Sequence, residues 1–289
     1  MIGSERINLT DDGRVYYVPY IPDSSPELPL QASRPSVLVL PGGGLACLSA
    51  REGEPVALSF AAKGFNAFVL HYSLNEYASW PHPLLDAMRA MQSIRKHAAE
   101  WHLDPDAIAV CGFSAGGHVT ASLGVYWNDP NLCAQAGVTQ DEAKPNALIL
   151  NYPVMTPMEQ KDSGTLDRLR CGHEDDSHIN ETLAVELHVG AHTPPSFIHH
   201  SYFDNGAPIA GSMVFAMALM RHGIPFELHV PQDGAHGLAL ANEATYAGGW
   251  TLDREFARWP ELAAAWMRKL FGHCPPEPEK VWQSALNRK

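Results

Sequence analysis

A serine between glycines, in the stretch VCGFSAGGH at residues 110–118, is the first candidate for chemistry in this sequence. The pattern G-x-S-x-G around Ser114 is typical of a sharp turn between a strand and a helix, which exposes the serine oxygen as a nucleophile. A glycine-rich turn without a catalytic serine would match the same letters. The partner residues and the neighbouring elements must therefore decide between the two interpretations.

A nucleophilic serine needs a histidine that accepts its proton and a carboxylate that orients the histidine. Among 15 histidines, His236 in PQDGAHGLAL follows an apolar strand pattern and has flanking glycines suited to a loop. Asp204 follows the predicted strand PSFIHHSYF, and the order Ser114, Asp204, His236 is that of a hydrolase triad. Asp233, in the turn of His236 itself, and the acidic residues 174–176, in an irregular segment, are the alternative acids.

Backbone N–H groups that could stabilise a developing oxyanion are predicted at two positions. The loop LPGGGLACLS (40–49) has no side chains at Gly43 and Gly44 to obstruct their N–H groups, and the Ala115 N–H begins the helix after the serine. A phosphate-binding loop is the alternative for the glycines. However, no lysine follows in the G-x-x-x-x-G-K spacing, and the G-x-G-x-x-G series is incomplete.

The other reactive residue types receive structural interpretations. His118, on the helix that follows Ser114, is predicted to be a hydrogen-bonded structural residue. Four histidines are concentrated near the expected cleft, without a spacing that indicates a three-ligand metal site; they are His188, His192, His199 and His200. The five cysteines form no C-x-x-C pair, so most of them, Cys111 included, are predicted to be buried thiols. We expect no metal and no cofactor.

The elements that must position these residues follow from the hydrophobic pattern. Strands are predicted at 36–40, 66–73, 107–113, 147–154, 195–203 and 226–231, and helices at 56–64, 83–101, 115–127, 211–223 and 259–272. Strands that alternate with helices predict an α/β fold: a mostly parallel, doubly wound sheet with helices on both faces. Before residue 35, the stretch INLTDDGRVYYVPY predicts an edge hairpin that turns at Asp12-Gly13.

Length and composition predict one domain over residues 1–273 and a tail at 274–289. Within the domain, residues 155–195 are a possible cap over the site. A homo-oligomer stays open. The formal net charge of −12 argues against a nucleic acid or an anionic membrane as partner. No run reaches the 18 apolar residues of a membrane span, and the first residues lack a signal-peptide pattern. We therefore expect a cytoplasmic protein.

Assembled in this way, the chain resembles the α/β-hydrolase superfamily and, within it, the small bacterial esterases described as acetyl-xylan esterase-like or feruloyl-esterase-like. The resemblance runs from residues 35 to 270 and rests on PGGGLACLS, REGEPVAL, GFNAFVLHYS, DPDAIAVCGFSAGGH, PNALILNYPV, TPPSFIHHSYFDNGAPI and DGAHGLALA. It implies the following roles: nucleophile Ser114, acid Asp204, base His236, and an oxyanion hole at Gly43, Gly44 and Ala115.

The resemblance also implies a function. A serine carboxylic-ester hydrolase would act on short acyl esters, above all acetyl esters of sugars or xylo-oligosaccharides, through an acyl-enzyme. An arylformamidase-like amide hydrolase and a catalytically silent binding module stay open as alternatives. Four aromatic residues are candidates for stacking on sugar rings, with core packing as the alternative; they are Tyr72, Trp80, Tyr202 and Trp250.

Overall fold

The computed structural model describes residues 5–28, 32–155, 164–173 and 175–274. One eight-stranded sheet forms the centre of these residues. Its strands are β1 (Ile7–Asn8), β2 (Tyr16–Tyr20), β3 (Arg34–Leu40), β4 (Asn66–His71), β5 (Leu103–Phe113), β6 (Ala147–Asn151), β7 (Ser196–His199) and β8 (Phe226–His229). The α-helices of the described residues are α1 (Glu54–Ala61), α2 (His82–Lys96), α3 (Ser114–Tyr126), α4 (Pro130–Ala136), α5 (Gln140–Ala143), α6 (Gly164–Arg170), α7 (Ser177–Leu183), α8 (Ile209–Arg221) and α9 (Trp259–Phe271).

The strands lie in the order β1-β2-β4-β3-β5-β6-β7-β8. The pairs β1–β2 and β2–β4 are antiparallel, and all pairs from β4–β3 to β7–β8 are parallel. The predicted hairpin forms the antiparallel edge, where Ile7 lies opposite Tyr17 and Gly13 closes the turn with a φ angle of 68°. The prediction of a mostly parallel, doubly wound sheet is therefore confirmed.

Both faces of the central strands are covered by helices. Successive side chains of β3 point to opposite faces, so Val37 and Val39 pack in one cluster and Leu38 and Leu40 in another. Helices α1 and α9 supply the first cluster, whereas α2 and α3 supply the second. Burial on both faces explains why the strand is a continuous apolar run rather than an alternating one.

The segment 155–195, predicted to be irregular, contains the short helices α6 and α7. Each helix has seven residues, about two turns, which is too short for an apolar period to be read from the sequence. Asp176 caps α7 by accepting a hydrogen bond from the His178 N–H. Residues 156–163 and the alternative acid Glu174 lie outside the described residues, and the cap function of this segment stays a prediction.

The predicted tail at 274–289 lies outside the described residues from position 275 onward. Among the helices described above, none has the length and apolar composition that crossing a bilayer would need.

His118 joins α3 to the chain that follows β6. Its Nδ1 lies 3.3 Å and 3.1 Å from the carbonyl oxygens of Val154 and Met155, so this nitrogen carries the proton that is donated. The residue is hydrogen-bonded, as predicted, and it is buried; burial lowers its pKa from 6.5 to about 4, although the two carbonyl groups oppose this shift. His118 therefore stays neutral in the folded protein under mildly acidic conditions.

We expect acid to destabilise the fold through His118. Between pH 6.5 and 4 an unfolded chain binds a proton that the folded chain excludes, so the free energy of unfolding falls as the pH falls. For this histidine the loss between pH 7 and pH 5 is about 2 kcal/mol. In His118→Asn, which keeps an N–H donor but does not titrate, the measured pH-dependent loss should shrink by that amount. The matched control is His178→Asn, at an exposed position of α7; equal losses in the two variants would contradict the assignment.

Candidate active site

Ser114 lies at the sharp turn between β5 and α3, with a φ angle of 51°. This left-handed conformation is uncommon for a residue with a side chain and costs free energy that the surrounding structure must offset. A Cβ on Gly112 would lie 2.3 Å from the Gly116 carbonyl oxygen, and a Cβ on Gly116 would lie 2.2 Å from that of Leu40. The two glycines therefore permit the close approach of strand and helix at the serine.

The structure brings the three predicted triad residues into one chain of hydrogen bonds. Ser114 Oγ lies 2.8 Å from His236 Nε2. His236 Nδ1 lies 3.0 Å and 2.9 Å from the two carboxylate oxygens of Asp204. With the Nδ1 proton directed to Asp204, Nε2 presents the lone pair that can accept the serine proton. The arrangement suits a hydroxyl nucleophile activated by a general base.

The side chain of Asp204 is fully shielded from solvent. Its Oδ1 accepts hydrogen bonds from the N–H groups of Gly206 and Ala207, both at 2.8 Å, and its Oδ2 lies 3.5 Å from His200 Nε2. Burial alone would raise the pKa of Asp204, but hydrogen bonds from His200, from His236 and from the backbone hold the pKa below its ordinary value. The carboxylate therefore stays ionised beside the imidazole.

The loop that carries His236 is held on several sides. Asn205 Oδ1 accepts a hydrogen bond from the His236 N–H at 3.2 Å, and Arg51 Nη1 donates to the Gly237 carbonyl at 2.6 Å. Gly206 packs against the imidazole so closely that a Cβ there would lie 2.5 Å from His236 Cγ. These contacts fix the direction of the ring.

The glycine loop after β3 borders the same cavity as Ser114. Gly43 and Gly44 have φ angles of 126° and 64°, which favour glycine. Among the described residues, no hydrogen bond uses the N–H of Gly43 or Gly44. The Ala115 N–H lies in the first turn of α3, where helical N–H groups have no partner within the helix. These three groups suit an anionic oxygen, and their assignment as an oxyanion hole stays a prediction.

A cavity of about 350 Å³ lies over Ser114 and His236. Its other lining residues are Gly43, Gly44, Ser49, Arg51, Glu52 and Gly237. Each of them is a glycine or a polar residue. The cavity therefore offers several hydrogen-bond partners close to the serine and the histidine.

The histidines concentrated near the cleft are used in separate places. His188 Nε2 bonds the Glu181 carbonyl at 3.0 Å, and His192 Nε2 bonds the Val125 carbonyl at 2.8 Å. His200 alone among them contacts the predicted triad, through Asp204. In the part of the chain that the structure describes, no three histidine, cysteine, aspartate or glutamate side chains are grouped to hold a metal ion.

The cysteine prediction is partly wrong. Cys111 and Cys133 are buried, and burial raises the pKa of the Cys111 thiol. Cys47, Cys171 and Cys274 are exposed. Cys47 lies in the glycine loop, Cys171 directly after α6 and Cys274 after α9. At these positions the small thiol side chain does not pack in the core.

The candidate stacking residues divide into two pairs. Tyr72 is buried in the core, and Trp80 packs edge-on against Tyr126. Tyr202 and Trp250 are more than half exposed. The Trp250 ring lies 5.4 Å from the guanidinium carbon of Arg51, a residue of the cavity wall. Trp250 is thus the aromatic surface with a direct contact to the site.

Three residues near the reacting atoms were missed from the sequence: Arg51, Glu52 and Tyr152. Arg51 and Glu52 lie in the stretch REGEPVAL, which the resemblance included without a role for either charge. A buried carboxylate is not recognisable there, because charged residues also begin exposed helices. Tyr152 directly follows β6 and has a φ angle of 36°, which no sequence pattern indicated.

A mostly parallel sheet with a serine on a strand-to-helix turn, bonded to a histidine and then to an aspartate, defines an α/β-hydrolase. Comparison with known families agrees: the chain belongs to the BD-FAE family of α/β-hydrolase esterases, whose model matches residues 27–219.

Curated relatives are longer than this chain. It is 36% identical over 220 residues to endo-1,4-beta-xylanase B of Butyrivibrio fibrisolvens, and this alignment covers 74% of this chain and 34% of the relative. It is 26% identical over 254 residues to an acetylxylan esterase of Xylanibacter ruminicola, and this alignment covers 83% of this chain and 47% of the relative. The chain thus spans between a third and half of the length of these relatives.

Solved structures match over nearly their whole length. The carboxylesterase Cest-2923 of Lactobacillus plantarum has a TM-score of 0.84 at 26% identity, with 96% of this chain and 100% of that chain covered. The acetyl ester-xyloside bifunctional hydrolase of Caldicellulosiruptor lactoaceticus has a TM-score of 0.77 at 32% identity, with coverage of 95% and 99%. The fold predicted from the sequence is confirmed.

The packing of Gly206 against His236 can be tested. In Gly206→Ala the added methyl must push the imidazole away, because its Cβ would lie 2.5 Å from His236 Cγ. We expect the rate at which a fluorophosphonate labels Ser114 to fall about 10- to 100-fold. Gly249→Ala is the matched control, since a Cβ there meets nothing within 4 Å. Equal labelling rates in both variants would show that the ring position is not critical.

Proposed function

We propose that this protein is a serine carboxylic-ester hydrolase that removes short acyl groups, above all acetyl, from the hydroxyl groups of sugars or xylo-oligosaccharides. The observation that carries the proposal is the continuous hydrogen-bonded chain from Ser114 Oγ through His236 to Asp204. The family and the names of the relatives support the class of reaction.

In the first half of the proposed reaction, His236 Nε2 accepts the proton of Ser114 as its oxygen attacks the ester carbonyl carbon. The carbonyl oxygen gains negative charge, for which the N–H groups of Gly43, Gly44 and Ala115 are the proposed donors. The imidazolium is stabilised by Asp204 and then protonates the leaving alcohol. The products of this half are the free alcohol and an acyl group on the serine oxygen.

In the second half, the same groups act on water. His236 accepts a proton from a water molecule as the water oxygen attacks the acyl carbon. The tetrahedral intermediate then collapses, and the proton on His236 returns to the Ser114 oxygen. The acid is released and the free serine is restored, so no cofactor takes part in the proposed cycle.

The preference for a short acyl group rests on the size of the cavity, because about 350 Å³ must hold both the acyl group and part of the alcohol. The side chains of Ser49, Arg51 and Glu52 supply polar atoms in its wall. Such a wall suits a hydroxyl-rich alcohol, and Trp250 beside Arg51 adds a ring on which a sugar could stack.

The sugar preference has support from two relatives. One is named an acetylxylan esterase and another an acetyl ester-xyloside bifunctional hydrolase. Amide hydrolysis would use the same nucleophile, and a panel of ester and amide substrates distinguishes the two reactions. The intact serine, histidine and aspartate chain speaks against a silent binding module.

Substitutions test the triad roles with a short-chain aryl ester. Ser114→Ala should lose at least about 10³-fold in kcat, because no other group can form the acyl-enzyme. Asp204→Asn should lose about 10⁴-fold, since the amide favours the wrong imidazole tautomer. Asp233→Asn, at an exposed position in the loop before His236, is the matched control and should stay near the unmodified protein. Full activity in Ser114→Ala would refute the proposal.

A substrate panel tests acyl and alcohol preference. We expect kcat/KM for para-nitrophenyl acetate to exceed that for the octanoate by more than about tenfold, because a cavity of about 350 Å³ has little room for a long acyl chain beside the alcohol. Acetylated xylo-oligosaccharides should be deacetylated and N-formylkynurenine left intact. The reverse pattern on the last two substrates would favour the amide hydrolase, and a preference for octanoate would contradict the short-acyl assignment.

A further inference from the structure

Glu52 is a buried carboxylate in the wall of the catalytic cavity, with 3% of its surface exposed. It ends the one-turn helix Ala50–Glu52 that precedes α1. Its Oε2 accepts a hydrogen bond from the Gly42 N–H at 2.8 Å, and its Oε1 accepts one from the Tyr152 hydroxyl at 2.8 Å. Both partners are donors, so the pattern is that of an ionised carboxylate.

Tyr152 extends this contact to the histidine loop. Its hydroxyl oxygen accepts a hydrogen bond from the Ala239 N–H at 2.9 Å, three residues beyond His236. Its ring meets the His236 ring edge-on, with the ring centres 5.1 Å apart. Glu52 thus touches the glycine loop directly and the histidine loop through a single hydroxyl group.

The carboxylate also lies close to the nucleophile. A Cβ on Gly42 would lie 2.8 Å from Ser114 Cβ and 2.9 Å from Glu52 Oε2. Only the absence of a side chain at Gly42 lets serine and carboxylate approach each other this way. Glu52 therefore bonds the loop that carries the proposed oxyanion donors and borders the same cavity as Ser114.

We propose that Glu52 is a positioning residue for the esterase reaction. It holds the glycine loop and the loop of His236 in fixed relative positions, and it places a negative charge near the imidazolium formed during turnover. This inference rests on the proposed function. Glu52 touches neither ester nor water in it; it acts through Gly42 and through Tyr152.

A negative charge on buried Glu52 costs free energy, which an uncharged side chain at this position would not. Burial raises the pKa of Glu52, and the hydrogen bonds from Tyr152 and Gly42 oppose this shift. A neutral amide cannot replace the carboxylate, because it would turn an NH₂ group toward one of the two donors. One donor would then lie buried without an acceptor, which destabilises the loops.

The charged groups near His236 determine whether the charge of Glu52 favours or opposes the imidazolium. Asp204 bonds Nδ1, and Arg51 bonds the neighbouring Gly237 carbonyl. Ser114 and Tyr152 are neutral. Glu52 adds a second negative charge, which stabilises the positive charge that the imidazole gains in the transition state.

Three variants and one control test the inference. Glu52→Gln removes the charge, Glu52→Asp keeps the charge but shortens the reach, and Tyr152→Phe removes the bridging hydroxyl but keeps the ring. Glu54→Gln, at an exposed position two residues away, is the matched control. Reactive Ser114 is first counted in each variant with a fluorophosphonate, and kcat is then expressed per reactive serine and compared with KM.

We expect kcat per reactive serine to fall about 10- to 100-fold in Glu52→Gln, with KM changed less than about threefold. Tyr152→Phe and Glu52→Asp should lower kcat per reactive serine by less than Glu52→Gln does, because each keeps the carboxylate. Glu54→Gln should match the unmodified protein in every measurement.

An unchanged kcat per reactive serine in Glu52→Gln would overturn the inference, even if fewer molecules fold. If that variant does not fold, an unchanged kcat in Tyr152→Phe would overturn it instead. Failure of the proposed function would look different: the unmodified protein would not be labelled at Ser114 at all.

Discussion

The close approach of β5 to the first turn of α3 is the constraint on which the site depends. It forces Ser114 into a left-handed conformation, which costs about 1–2 kcal/mol for a residue with a side chain. Burial of every residue of α3 from Ser114 to Val125, against the sheet and neighbouring segments, offsets this cost. The nucleophile is therefore held by the core of the protein and not by a mobile surface loop.

Two buried carboxylates border the reacting atoms and have opposite environments. Asp204 accepts hydrogen bonds from His236 and from two backbone N–H groups, lies 3.5 Å from His200 Nε2, and has its pKa held low. Glu52 has two donors, and burial raises its pKa. A carboxylate with many donors is fixed and stays charged, whereas one with few donors is costly to keep unless its contacts hold other parts in place. This contrast is the physical basis for giving them different roles.

Much of the fold could be predicted because its signals are local. Apolar runs of five to seven residues with both faces buried, as in β3, and long amphipathic helices such as α2 are visible within one window of sequence. Helices α6 and α7 were not recognised, since two turns and an aspartate cap give no period to detect. The exposure of Cys47 and Cys171 was also missed, because the tendency of cysteine to be buried does not account for a loop position.

The sequence by itself determined the turn at Ser114, the order of serine, aspartate and histidine, and the alternation of strands and helices. These features rest on glycine sterics and on periodicity, which act between near neighbours. Only the tertiary structure decided that His200 contacts Asp204 and that Glu52 bonds Tyr152, a residue 100 positions away. Nothing in the local sequence around a glutamate records which donors the folded sheet will bring to it. The catalytic motif could thus be recognised in the sequence, whereas the hydrogen bonds that hold it depend on the packing of distant loops.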